Sequence, residues 1–175
     1  YRRAFEIQDR IITNYNDDIA IHAKGVEKIK VRRCFDSLPS QLGKELKKFQ
    51  YSLVESGQTS KKYGGSVKWL EDSQIVKICR NVKQPFIPLR GNEIYNEYKM
   101  YLHDTGLLLA LYGLETRKGI LFNTLKGNIK GGIYENAVAE ILYKKGLNIN
   151  YYHPSDNQEI EFIIEKDSEV LPIEV

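Results

Sequence analysis

The stretch that most constrains the fold is "EIEFIIEKDSEVLPIEV", residues 159–175. Two apolar runs flank Lys166-Asp167-Ser168-Glu169, a composition suited to a tight turn between paired strands. With Asp167-Ser168 at the tip, Ile160 faces Val175, Phe162 faces Ile173 and Ile164 faces Leu171. Every pair on that face is apolar, and a one-residue slip would turn the whole set to the wrong side. The same register sets Glu161 directly against Glu174. Like charges facing each other cost a fraction of a kcal/mol, unless water screens them or a cation lies between. Two facing carboxylates suit Mg²⁺, which takes one or two carboxylates and keeps several waters. A solvated acidic face is the alternative reading.

The formal net charge of +3 conceals an asymmetry. Residues 1–100 hold 19 Lys and Arg against 12 Asp and Glu, and residues 101–175 hold 7 against 11. A basic half followed by an acidic half suggests modules with different partners, phosphates for the first and a metal ion for the second. No apolar run approaches the ~20 residues needed to cross a bilayer, so no membrane partner is expected. Cys34 and Cys79 sit far apart in apolar contexts and read as reduced core residues, so a cytoplasmic location is the expectation. The chain opens on Tyr1 and stops within a strand, the features expected of a fragment.

Along the chain, residues 1–25 read as one or two helices ending at Gly25. "VEKIKVRRCFDSL" reads as a helix that breaks near Pro39, with Ile29, Cys34 and Phe35 toward a core. "SQLGKELKKF" reads as a second helix and "FQYSLV" as a brief strand. "TSKKYGGSVKWLEDSQ" is a third helix, with Tyr63, Val67 and Leu70 on one face and Thr59 or Ser60 as its cap. "QIVKICRNVKQPFIPL" is a strand, a turn at Asn81 and a second extended piece. That order is the order of a winged helix, whose last helix enters the major groove of duplex DNA while flanking cations hold phosphates. Lys61, Lys62 and Lys68 lie on that helix, and Lys77, Arg80 and Lys83 along the wing. Solvated faces are the bland alternative for all six.

After a linker, "RGNEIYNEY", the run "DTGLLLALYG" is an apolar helix capped by Asp104 or Thr105. "KGGIYENAVAEILYKKG" is a helix with Tyr134, Val138, Ile141 and Leu142 on its apolar face. Glu135 falls in its first turn, where the helix dipole favours a carboxylate. The three histidines, His22, His103 and His153, show no metal-ligand spacing. No G-x-x-x-x-G-K-[ST] occurs, so nothing here cradles nucleotide phosphates in the P-loop manner.

Two resemblances sharpen these expectations. "GGIYENAVAEIL…EIEFIIEKDSEVLPIEV" resembles the restriction-endonuclease-like nuclease core, with an acid on a helix, an acid on a strand and Glu-x-Lys on the next strand. "SLPSQLGKELKKFQYS", "WLEDSQIV", "YKMYLHDTGLL", the Glu135-Asn136 pair and "EIEFII…PIEV" together resemble the C-terminal region of prokaryotic AAA-superfamily ATPases. The resemblance implies a mixed α/β (α+β) architecture in three parts. Residues 1–25 would be the helical end of an ATPase module, 26–90 a winged helix, and 91–175 a nuclease-like domain truncated at its C-terminus. It carries Glu135, Glu161 and Glu174 over as catalytic acids, Glu161 and Glu174 as ligands of Mg²⁺, and Asn136 as a motif residue with no assigned role. Position 161 is Glu where Asp is usual, and the motif's Lys would follow Val175, so enzymatic competence is an open point. ATP would bind only the N-terminal module, and the partners implied are duplex DNA and self-association through the ATPase. The alternative function is a non-catalytic scaffold for protein interaction or oligomer assembly.

Overall fold

The computed structural model describes residues 1–155 and 158–175. It is a mixed α+β fold whose elements run α1 (Arg2–His22), α2 (Glu27–Asp36), α3 (Leu38–Leu42), α4 (Tyr51–Val54), α5 (Ser60–Asp72), β1 (Val76–Val82), a 3₁₀ turn (Leu89–Asn92), β2 (Glu93–Leu102), α6 (Thr105–Tyr112), α7 (Leu114–Leu121), α8 (Asn128–Lys144), β3 (Asn150–Ser155), β4 (Gln158–Lys166) and β5 (Glu169–Ile173). The strands form one sheet in the order β2-β1-β3-β4-β5, antiparallel throughout except for the parallel β1–β3 pair. Residues 90 and 91 therefore lie between two paired strands, and a single sheet spans the boundary that the sequence suggests between winged helix and nuclease-like domain.

The closing hairpin keeps the register read from two of its three apolar pairs, while the third, Ile160 with Val175, lies beyond the ladder, which ends at Ile173. Phe162 pairs with Ile173 and Ile164 with Leu171, and Asp167 and Ser168 at the tip both take positive φ, as a two-residue turn of matching twist requires. Pairing on the other side of β4 is less regular. It shifts from Asn150↔Ile163 to Tyr152↔Ile160, so two steps along β3 match three along β4. That is a β-bulge, which re-aims the side chains it contains. Ile160 and Ile163 accordingly pack into the same small cluster with Val82 and Leu89, while Phe162 belongs to the main core. The extra residue frees Glu161 to turn toward α8.

Alternation along β1 and β2 sends Cys79, Lys99 and Tyr101 toward α8, and Ile78, Arg80 and Tyr98 toward α5 and Tyr51. The segment 83–92 is a strap rather than the second strand of a wing, and Leu89 on it covers Val82 and Ile163. Its place in the ladder is taken by β2, which the sequence disguised as a linker. The expected strand "FQYSLV" at 49–54 contains instead the short helix α4, and the second helix stops at Leu42, leaving residues 43–50 as a loop along the β2 edge. There Phe49 N–H donates to Tyr98 O, 2.7 Å. Helix α5 buries Tyr63, Val67 and Leu70 as the spacing indicated, although Thr59 makes no side-chain capping bond. Asp104 does cap α6, accepting from Leu107 N–H at 2.9 Å. Ile29 lies outside the core, while Cys34 and Phe35 are buried.

Helix α8 sits differently from its apolar pattern. Tyr134 and Ile141 are exposed, and the buried side carries Gly132, Ile133, Glu135, Asn136, Ala139 and Leu142. Gly132 sets this face. A Cβ there would lie 2.1 Å from Leu42 O, so only glycine lets α8 reach the backbone of α3. Among the described residues, no helix is long and apolar enough to cross a membrane.

Candidate functional site

The closely placed α8 presents two polar side chains to the sheet, and each meets prepared partners. Asn136 is fully buried. Its Oδ1 accepts from Leu102 N–H at 2.8 Å, and its Nδ2 donates to Leu102 O and to Thr105 Oγ1, both at 3.0 Å. The side-chain amide thus satisfies the outward backbone groups of an edge strand, where unpaired groups would be costly. This gives the motif asparagine a structural role.

Glu135, 3% exposed, is enclosed more completely. Lys47 Nζ lies 2.8 Å from its Oε1. Its Oε2 accepts from Tyr101 OH at 2.7 Å and from Lys99 Nζ at 3.4 Å. Lys99, itself at 0% exposure, also lies 2.8 Å from Glu159 Oε1 and 5.1 Å from the Tyr151 ring centroid. Burial acts to lower the Lys99 pKa, but Glu135 and Glu159 outweigh it and raise it, so the ammonium is held charged. The Tyr101 hydroxyl is pushed well up, by burial first and by the Glu135 charge second, and stays a donor. Lys47 reaches this cluster because the loop 43–50 passes round the β2 edge.

Glu161 lies at the rim. Its pKa is pushed up to about 7 by burial first, then by the Glu174 carboxyl beside it, with Glu135 adding to the repulsion. The two carboxyls of the expected pair are thus neighbours, just beyond the strand pairing, which begins at Phe162 and Ile173. Glu161 lies beside Glu174 and feels the charge of Glu135, but the three do not fit the Mg²⁺ that the resemblance implies. Both Glu135 oxygens are taken, and two lysine ammoniums balance the buried Glu135 and the half-buried Glu159. Among the described residues, no group of three His, Cys, Asp or Glu side chains is arranged to hold a metal ion.

The six basic residues expected at duplex DNA are divided by the fold. Lys62 pairs with Glu55 at 2.6 Å, and Lys68 with Asp72 at 2.6 Å. Lys77 points to the α8 side, 5.2 Å from the Tyr143 ring centroid. Lys83 lies exposed on the strap. Lys61, Lys68 and Arg80 line a cleft of about 260 Å³ between α5 and the β1–β2 pair. A wider cleft of about 690 Å³, between α5, the strap and the α8–β3 loop, shares Lys68, Glu71, Ile78, Arg80 and Tyr95 with it and adds Arg90. His103 is structural, its Nε2 3.5 Å from Tyr15 OH. Cys34 and Cys79 are free and buried.

Sequence reasoning missed Lys47, Lys99, Tyr101, Glu159, Tyr95 and Arg90. Only Lys99 left a signal, as the one charge in the otherwise apolar run "YKMYL" of residues 98–102.

Fold and site together define a mixed α+β protein built around a buried ionic cluster that joins a helix to an edge strand. Residues 1–118 match the family described as Domain of unknown function (DUF8612), and the chain belongs to that family. Residues 130–175 match a second, described as Domain of unknown function (DUF4143), one often found at the C-terminus of AAA ATPases. No curated protein and no solved structure matches. The division gives the cluster a further meaning. Glu135, Glu159, Glu161 and Glu174 fall in the second match, while Lys47, Lys99 and Tyr101, which satisfy Glu135, fall in the first. The parallel pairing of Arg80 and Asn81 with Asn150 and Tyr151 joins the same two segments.

Proposed function

We propose that this chain comes from the C-terminal region of an AAA-superfamily ATPase and serves it as a nucleic-acid-holding module that does not cut. The AAA placement rests on the match of residues 130–175. The observation that carries the non-cleaving reading is the state of Glu135, whose two oxygens are held by Lys47, Lys99 and Tyr101. A nuclease of this design needs its acids free to hold Mg²⁺, which stabilises the leaving oxygen and activates water. Here the helix acid is a counterion. A likeness of fold does not by itself bring the activity with it.

The experiment is nicking of supercoiled plasmid in Mg²⁺ and in Mn²⁺, with Glu174→Ala as comparison because Glu174 is exposed and its loss leaves the core intact. Equal, background-level conversion by both proteins is expected. Metal-dependent nicking that Glu174→Ala abolishes would overturn the proposal.

A further inference from the structure

The two clefts on the α5 face belong to neither the ionic cluster nor the core. They share five lining residues and so form one groove, floored by Ile78 and Arg80 of β1. Its carboxylates are committed within the fold. Glu71 lies 3.5 Å from Arg80 and 3.6 Å from Lys68. Glu93 accepts from Asn150 Nδ2 at 3.0 Å and lies 4.0 Å from Arg80. Glu165 accepts from Leu89 N–H. These contacts fix the Arg80 guanidinium 5.6 Å from the centroid of the Tyr95 ring. Tyr95 itself is 73% exposed, although a tyrosine on a strand ordinarily packs. Lys61 in the narrower cleft and Arg90 in the wider have no carboxylate within ion-pair distance among the described residues.

An exposed aromatic ring buttressed by arginine, with uncommitted cations on both sides, is what an unpaired base and its flanking phosphates need. A duplex keeps its base faces stacked and cannot use the ring. We propose that this groove binds single-stranded nucleic acid, with a base stacked on Tyr95 and neighbouring phosphates on Lys61 and Arg90. The inference rests on the nucleic-acid reading above and names the strand form and the place. The lining charges are four cations against three carboxylates, so few phosphates are engaged. Two contacts on a single strand give a slope of log affinity against log salt of about −1.4, or roughly a sevenfold loss between 50 and 200 mM.

The test is fluorescence anisotropy over a salt series with a labelled oligothymidylate and with a duplex of equal length. Expected are tighter binding of the single strand and a roughly 5- to 150-fold loss for Tyr95→Ala, with rescue by Tyr95→Phe. Lys61→Ala and Arg90→Ala should each flatten the salt slope by about 0.7. Lys62→Ala, outside the groove and paired with Glu55, should bind as the unsubstituted protein does. All four residues are exposed or on the groove surface, and matching thermal melts would show each of the five variants folded. Binding of both oligonucleotides without effect of Tyr95→Ala would overturn the groove and leave the nucleic-acid reading standing. Binding of neither at low salt would overturn both.

Discussion

Glu135→Gln separates a structural carboxylate from a catalytic one by the sign of its effect on stability. The amide keeps the volume and removes the charge. Lys99, at 0% exposure, is then left with Glu159 alone, and Lys47, at 8%, with the carbonyl of Glu45 at 3.5 Å. Removing one partner of a buried pair typically costs about 3–5 kcal/mol, because the other charge stays buried and uncompensated. At roughly 2–4 °C per kcal/mol for a chain of this size, the melting temperature should fall by roughly 6–20 °C. Urea unfolding at neutral pH with intrinsic fluorescence gives the same quantity independently of the thermal slope. An acid kept for metal binding beside two other acids behaves in the opposite way, since neutralising it relieves repulsion and active sites trade stability for activity. A Glu135→Gln protein as stable as the unsubstituted one, or more so, would refute the counterion assignment.

Three further outcomes follow from the geometry. Asn136→Ala leaves both outward backbone groups of Leu102 without partners and should cost about 2–4 kcal/mol in urea unfolding, with little change on Asn136→Gln only if the longer amide reaches both. Gly132→Ala places a Cβ 2.1 Å from Leu42 O, so despite a gain in helix propensity of about 1 kcal/mol the net loss should be at least about 2 kcal/mol, and unchanged stability would show that α8 and α3 are not this close. Glu161 has its folded pKa raised from the ordinary 4.5 to about 7, so its contribution to stability is fully present below pH 4.5 and lost as pH rises toward 7. The charged groups acting on it are Glu174 and Glu135, and Glu161→Gln should flatten the urea midpoint across that window and raise it at pH 8. A midpoint of the unsubstituted protein that does not fall between pH 4.5 and 7 would contradict the assignment.

The parts of this fold legible in the sequence are those governed by local pattern. The β4–β5 register followed from matched apolar pairs, α5 from Tyr63, Val67 and Leu70 at helical spacing, and the start of α6 from Asp104. What stayed hidden depends on partners distant in the chain. The start of β2 looked like a linker because Tyr95 and Asn96 are both exposed, and Lys99 drew no notice because its counterions, Glu135 and Glu159, lie on α8 and β4. Of the apolar stripe of α8, Val138 and Leu142 pack on the core while Tyr134 and Ile141 turn outward, because Gly132 and the polar pair Glu135-Asn136 set the buried side through contacts with α3 and β2. The bulge that turns Glu161 toward Glu135 has no mark in "EIEFII", since every residue in it suits a regular strand. Of the site, the facing pair Glu161 and Glu174 was readable. The lysines that decide what Glu135 does were not.

The central claim is that Glu135 is the counterion of Lys47 and Lys99, and a double-mutant cycle on Glu135→Gln and Lys47→Met tests it most directly. Urea unfolding of the four proteins, with and without Mg²⁺, yields the coupling energy. A coupling of about 1–3 kcal/mol, unchanged by Mg²⁺, is the expected result. A coupling near zero, or stabilisation by Mg²⁺ that disappears with Glu135→Gln, would contradict it and return Glu135 to the role of a metal-binding acid.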